Sequence, residues 1–171
     1  MGYNSVYVVS RLDDLENSHA ELLTAENVYD KLTEIVGNAE ISEVEDFDKG
    51  FSEENIDGIM TDYEEEGIIE RKDAGVIKNA FAFTKETIPA YFERRYKKFL
   101  QLVSEMNLES FSDEETAKEL CRLVCERDYD YVIFITFQNN QFKEDIMPMD
   151  TFIRRMEKKV LVFSQHFTYY R

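Results

Sequence analysis

The sequence predicts an α+β fold, a mixed or antiparallel sheet with helices, on three observations. Strand-type runs stand near both ends of the chain, at Val6 to Val9, at Tyr131 to Phe137 and from Val160 to about Tyr169. Between them lie segments whose apolar residues recur at helical spacing. Two short apolar runs around Asp73, Ala74 and Gly75 have the form of a hairpin. The 171 residues fit one domain spanning 1–171. With 13 Phe and 10 Tyr, the chain has the core-forming residues that a disordered acidic chain lacks.

Taken in order, Val6, Tyr7, Val8 and Val9 are the branched and aromatic side chains that suit a first strand. The stretch 13–23 shows no decided period. From Thr24, a helix-capping residue type, Val28, Leu32, Ile35 and Val36 recur at helical spacing and Gly37 supplies a stop, which predicts a helix over 25–36. An acidic, irregular linker follows over 38–51. Ser52 then caps a second helix, striped by Ile56, Ile59, Met60 and Tyr63 and ended by Gly67. The hairpin sets 68–72 against 76–84, with Phe81 and Phe83 on one face.

Thr87 and Pro89 open a long helix to about Met106, predicted to bury Phe92, Tyr96, Phe99, Val103 and Met106 and to expose Glu93, Arg94, Lys97 and Lys98. Ser112 and Glu115 have the form of a capping box for a further helix carrying Ala117, Leu120, Cys121 and Val124. Tyr131 to Phe137 is continuously apolar, as a central strand is. A loop to Pro148, a short helix near 151–157 and the final strand complete the reading.

Charge is distributed unevenly. Residues 1–70 hold 20 Asp and Glu against Arg11, Lys31 and Lys49, a net of −17, whereas residues 71–171 hold 16 acids against 17 bases, a net of +1. An acidic field repels phosphate backbones and anionic membranes and steers basic surfaces inward. The expected partner is therefore a basic protein surface; direct nucleic-acid binding and membrane association are not expected. The start of the chain does not read as a secretory signal, and no apolar run approaches the roughly 18 residues of a membrane span. Cys121 and Cys125 fall on one helix face and read as reduced core thiols, which points to the cytoplasm.

The order helix, acidic linker, capped helix, hairpin, long helix over 24–106, with Ile59 to Ile69 running through "EEEGIIER", resembles the winged-helix family. The resemblance covers about half of the chain and implies a winged-helix-like subdomain at 24–106, whose second helix docks in a DNA major groove in that family. Here the matching helix carries Glu53, Glu54, Asp57, Asp62, Glu64, Glu65 and Glu66 and no base. A transcription regulator of this topology would need to contact DNA through Arg71, Lys72 and Lys78 of the hairpin instead. In composition and size the chain is also similar to the small acidic phage and mobile-element proteins that inhibit restriction or CRISPR nucleases by mimicking DNA.

The candidate partner-binding site is thus Glu53, Glu54, Asp57, Asp62, Glu64 and Glu65. At about 100° per residue, Glu53, Glu54, Asp57, Glu64 and Glu65 share an arc opposite the apolar stripe, and the helix carries about one carboxylate per 3 Å, near the charge spacing of one DNA strand. The competing reading is a solvated face that serves solubility. Residues 46–57 begin like a calcium loop at Asp46 and Asp48 but place Phe51 at the turn position and Asp57 at the twelfth, so no metal or cofactor is expected. His19 and His166 stand isolated, and no nucleophile elbow or phosphate-cradling glycine loop is present. Arg94, Arg95, Lys97 and Lys98, with Arg154, Arg155, Lys158 and Lys159, form the one basic cluster where an anion could dock, with Tyr96 interleaved. The expectation is a non-enzymatic, protein-binding module.

Overall fold

Strand β1 (Tyr3–Arg11) lies at the heart of the sheet in the computed structural model, which describes residues 3–15, 23–37, 41, 43–46, 53–65, 67–75, 77–83, 87–124, 130–156 and 159–170. After β1 come α1 (Leu12–Leu15), α2 (Ala25–Val36), β2 (Glu43–Asp46), α3 (Glu53–Glu65), β3 (Ile69–Arg71) and β4 (Ala80–Phe83). Then follow α4 (Thr87–Glu105), α5 (Leu108–Phe111), α6 (Glu114–Val124), β5 (Tyr131–Gln138), β6 (Gln141–Pro148), α7 (Met149–Arg155) and β7 (Leu161–Tyr170). The strand order is β3-β4-β7-β1-β5-β6, and β2 pairs with β7 as well. β1 and β5 run parallel while the other pairings are antiparallel, so the fold is α+β with a mixed sheet.

β5 is buried on both faces from Tyr131 to Thr136, which is why its sequence is an unbroken apolar run. β7 is long enough to hold two partners along one edge. Ala80 and Phe81 of β4 pair with its first residues, and β2 pairs with Phe167 to Tyr170. The region 24–106 accordingly runs α2, β2, α3, β3, β4, α4, and its strands β2 and β4 hydrogen-bond to β7, which lies outside it.

The sheet separates two cores. On one face Tyr7, Val9, Phe81, Val132, Phe134, Leu161 and Phe163 meet Ile56 and Met60 of α3 and Phe152 and Ile153 of α7. On the other, Val6, Val8, Tyr131, Ile133, Phe167 and Tyr169 meet Val28 and Leu32 of α2. β7 contributes to both because its register against β1 shifts between Val8 and Val9, with Gln165 opposite Val8 and Phe163 opposite Val9. Ser164 is the extra residue. A bulge of one residue reverses a period-2 pattern, so Leu161 and Phe163 face α3 and α7 while Phe167 and Tyr169 face α2.

Local chemistry explains the helix ends. Thr24 caps α2, its Oγ1 accepting from the Asn27 amide at 3.2 Å, and Gly37 at φ +94° closes it. α3 ends in a Schellman motif: the Gly67 amide donates to Glu64 O (2.9 Å) and the Ile68 amide to Tyr63 O (2.9 Å), with Gly67 at φ +70°. Lys31 of α2 pairs with Glu144 of β6 at 2.5 Å.

Several expectations are corrected. Asp113, not Ser112, caps α6, accepting from the Thr116 amide at 2.9 Å, while Ser112 ends α5. The supposed loop before Pro148 is β6, joined to β5 by Asn139 and Asn140, both at positive φ. That is the signature of a type I′ hairpin, and Asn tolerates the left-handed region. Part of the acidic linker forms β2. On α4, Tyr96 and Val103 are 60% and 44% exposed rather than buried. Among the described residues no helix is long and apolar enough to cross a membrane.

Candidate functional site

α3 is rotated by its apolar side. Ile56 and Met60 are fully buried and Ile59 and Tyr63 pack at the edge of the same core, so the remaining positions must point outward. Glu54, Asp57, Asp62, Glu64 and Glu65 are all exposed; the Glu53 side chain lies outside what the structure describes.

These carboxylates are not equivalent. Arg71 of β3 reaches along the helix and engages three positions one turn apart. Its guanidinium donates to Asp57 Oδ1 (2.5 Å), Asp57 O (3.2 Å), Thr61 Oγ1 (2.6 Å) and Glu64 Oε2 (2.8 Å). The hydrogen bond to Asp57 is the largest influence holding the guanidinium above its ordinary range, reinforced by the charges of Asp57 and Glu64 and opposed by partial burial. Asp57 and Glu64 therefore fasten α3 to the hairpin. Glu54, Asp62 and Glu65 make no ion pair among the described residues.

Among the described residues, the open carboxylates of α3 are Glu54, Asp62 and Glu65, and at about 1.5 Å per residue Glu54 to Glu65 spans roughly 16 Å of helix.

The hairpin cations named for DNA contact are differently placed. Arg71 is occupied by α3, and Lys72 pairs with Glu70 at 2.7 Å. The basic cluster also divides. Lys97 pairs with Glu93 (2.7 Å) and Lys98 with Glu119 (3.2 Å), while Arg154 lies over the Phe92 ring at 4.5 Å. Arg155 and Lys159 belong to a separate cleft, and Lys158 is outside the described residues.

His166 is not isolated in space. Its Nε2 lies 3.0 Å from Ser5 Oγ on the adjacent strand, its ring stacks on Tyr7 (5.0 Å), and the Ser5 amide donates to Asp130 Oδ1 at 2.9 Å. No sequence motif could have found this pair, because 161 positions separate its members. Asp130 holds the serine backbone, and neither the apolar cavity beside Phe81 and Phe152 nor the cleft beside Arg11 and Arg155 is lined by Ser5 or His166. Cys121 is exposed, which corrects its reading as a core thiol. Cys125, His19 and residues 47–52 of the calcium-like stretch lie outside the described residues.

Comparison of the chain with models of protein families, with curated proteins and with solved structures finds no match.

Proposed function

We propose that the protein is an acidic binding module that docks a basic protein surface through Glu54, Asp62 and Glu65 of α3. The observation that supports this reading is the contrast on one helix: two carboxylates are consumed by Arg71, and three beside them are exposed and make no ion pair among the described residues. The asymmetry of charge adds long-range steering toward a cationic partner. Proteins that bind phosphate backbones carry the strongest cationic fields, so a nucleic-acid-binding enzyme is the partner class the surface fits. Contact through the field does not require the charge repeat of DNA.

Capture from a cell extract identifies the partner, and the variant carrying Glu54→Gln, Asp62→Gln and Glu65→Gln tests the surface. The wild-type on-rate is expected to fall steeply with salt, and the variant to associate more slowly with a flatter salt dependence. Equal on-rates and equal salt dependence would leave α3 as a solvated face. The winged-helix regulator is the rival reading. Its discriminating measurement is a gel shift with random duplex at about 150 mM salt, where no binding is expected from a surface of this sign.

A further inference from the structure

β6 is the outermost strand of the sheet on its side and pairs only with β5, over eight residues from Gln141 to Pro148 and with no shift of register. The strand at the opposite margin, β3, has three residues. A long, regular edge presents a row of unpaired backbone donors and acceptors, which is why edges are ordinarily kept short, bulged or interrupted by proline. β6 carries its proline only at the last position.

The turn fixes which backbone groups face outward. In a two-residue type I′ hairpin the flanking residues, here Gln138 and Gln141, exchange hydrogen bonds, and bonded and non-bonded pairs then alternate along the ladder. Lys143, Asp145 and Met147 therefore bond inward to β5, and the Met149 amide continues the phase by donating to Asp130 O at 2.9 Å. Phe142, Glu144 and Ile146 turn their N–H and C=O groups away from the sheet, where they meet no partner among the described residues. Pro148 falls in the outward phase, so its missing N–H breaks no ladder bond.

From this geometry we infer that β6 is a self-association edge, pairing antiparallel with β6 of a second copy about a two-fold axis at Glu144. Outward residues then oppose outward residues, Phe142 against Ile146 of the second copy and Glu144 against Glu144, with about six backbone hydrogen bonds between them. The same register sets Lys143 against Asp145 of the second copy, twice, as close non-bonded pairs on the other face. Charge selects this register. The neighbouring ones that keep outward groups together oppose Lys143 to Lys143 or Asp145 to Asp145, like charge against like. One unfavourable pair remains, the two Glu144 carboxylates at the axis, and each is held by Lys31 of its own α2 at 2.5 Å. α3 packs beside β3, at the far margin of the sheet, so it stays open in both copies.

The test is sedimentation velocity of the intact protein over about 5 to 500 μM at about 150 mM salt, where a dimer with a dissociation constant of about 100 μM or tighter is expected. Amide hydrogen exchange should slow with concentration at Phe142, Glu144 and Ile146 and stay unchanged at Lys143 and Asp145. Lys143→Asp sets four acids across the axis and Asp145→Lys four bases, so each variant should associate about tenfold more weakly or worse. Both side chains are open, 63% and 45% exposed, so the fold should tolerate either change. An equimolar mixture of the two variants should recover association, as should a chain carrying both substitutions. A monomer at every concentration, a dimer indifferent to both single variants, or no recovery in either the mixture or the doubly substituted chain would overturn the inference. So would slowed exchange centred away from β6, or protection of these amides only by a different protein. None of these outcomes depends on α3.

Discussion

α3 and α4 have the same kind of sequence, charged residues around an apolar stripe, and the fold uses them differently. α3 drives Ile56 and Met60 into full burial and is fastened by Arg71, so both its inner and its lateral sides are fixed. α4 is longer, 19 residues against 13, but seats only partly buried side chains such as Phe92, Phe99 and Leu102. A second apolar row, Tyr96, Leu100 and Val103, faces outward, and the chain continues into α5 with Leu108 and Phe111, 86% and 67% exposed. The lesson is that an apolar stripe sets a helix's rotation only when its other sides are polar. α3 meets that condition and α4, apolar over two adjoining arcs, does not.

Truncation on the two helices should separate them most sharply. Met60→Ala is expected to cost about 2–5 kcal/mol, as buried large-to-small changes do, whereas Leu100→Ala should stay within about 0.5 kcal/mol. Chemical denaturation of both variants measures this. Equal losses would mean that α4 is seated as deeply as α3.

A smaller effect is expected at the lateral fastening. Arg71→Gln should destabilise by about 1 kcal/mol, discounted because the side chains are partly open to solvent. A double-mutant cycle with Asp57→Asn isolates the pair, and zero coupling would show that α3 is held by its apolar side alone.

The smallest effect lies beyond α4, in the cap of α6. Asp113 is held below its ordinary range first by the hydrogen bond from the Thr116 amide and then by the one from the Thr116 hydroxyl. A depressed carboxylate stabilises the folded form above its unfolded value, about 3.9, and that contribution is lost as pH falls through the lower folded value. The Thr116 amide resonance should therefore move with an apparent pKa below that of a free aspartate. A midpoint at the free value would show that the cap is open in solution.

Much of the scaffold was legible because its signals are local. Thr24 and Gly37 bound α2 where the sequence predicts, and Phe81 and Phe83 share a core at 5.5 Å as their alternation implies. β6 was missed because an exposed edge strand needs little apolar alternation; the one readable clue was Asn139–Asn140. The candidate site was legible as a set of acids but not as two classes, since the division depends on Arg71 arriving from another element. The cleft was half legible. Arg155 and Lys159 stood out as part of a basic run, while Arg11, 144 positions before Arg155, joins them only through the pairing of β1 with β7.

Ser164 gives β7 something like a reading frame. Its side chain does little, donating to Val8 O at 3.3 Å, so many residues could replace it. Its place in the count is another matter. Removing one residue there would transpose every later side chain across the sheet, sending Phe167 and Tyr169 toward α3 and α7 and leaving α2 to close over polar groups. Such a lesion should be suppressed by one added residue within the same few positions and by no substitution elsewhere. A library of single-residue deletions and insertions across 161–170, scored for folded yield, would show whether the strand is read by its length in this way.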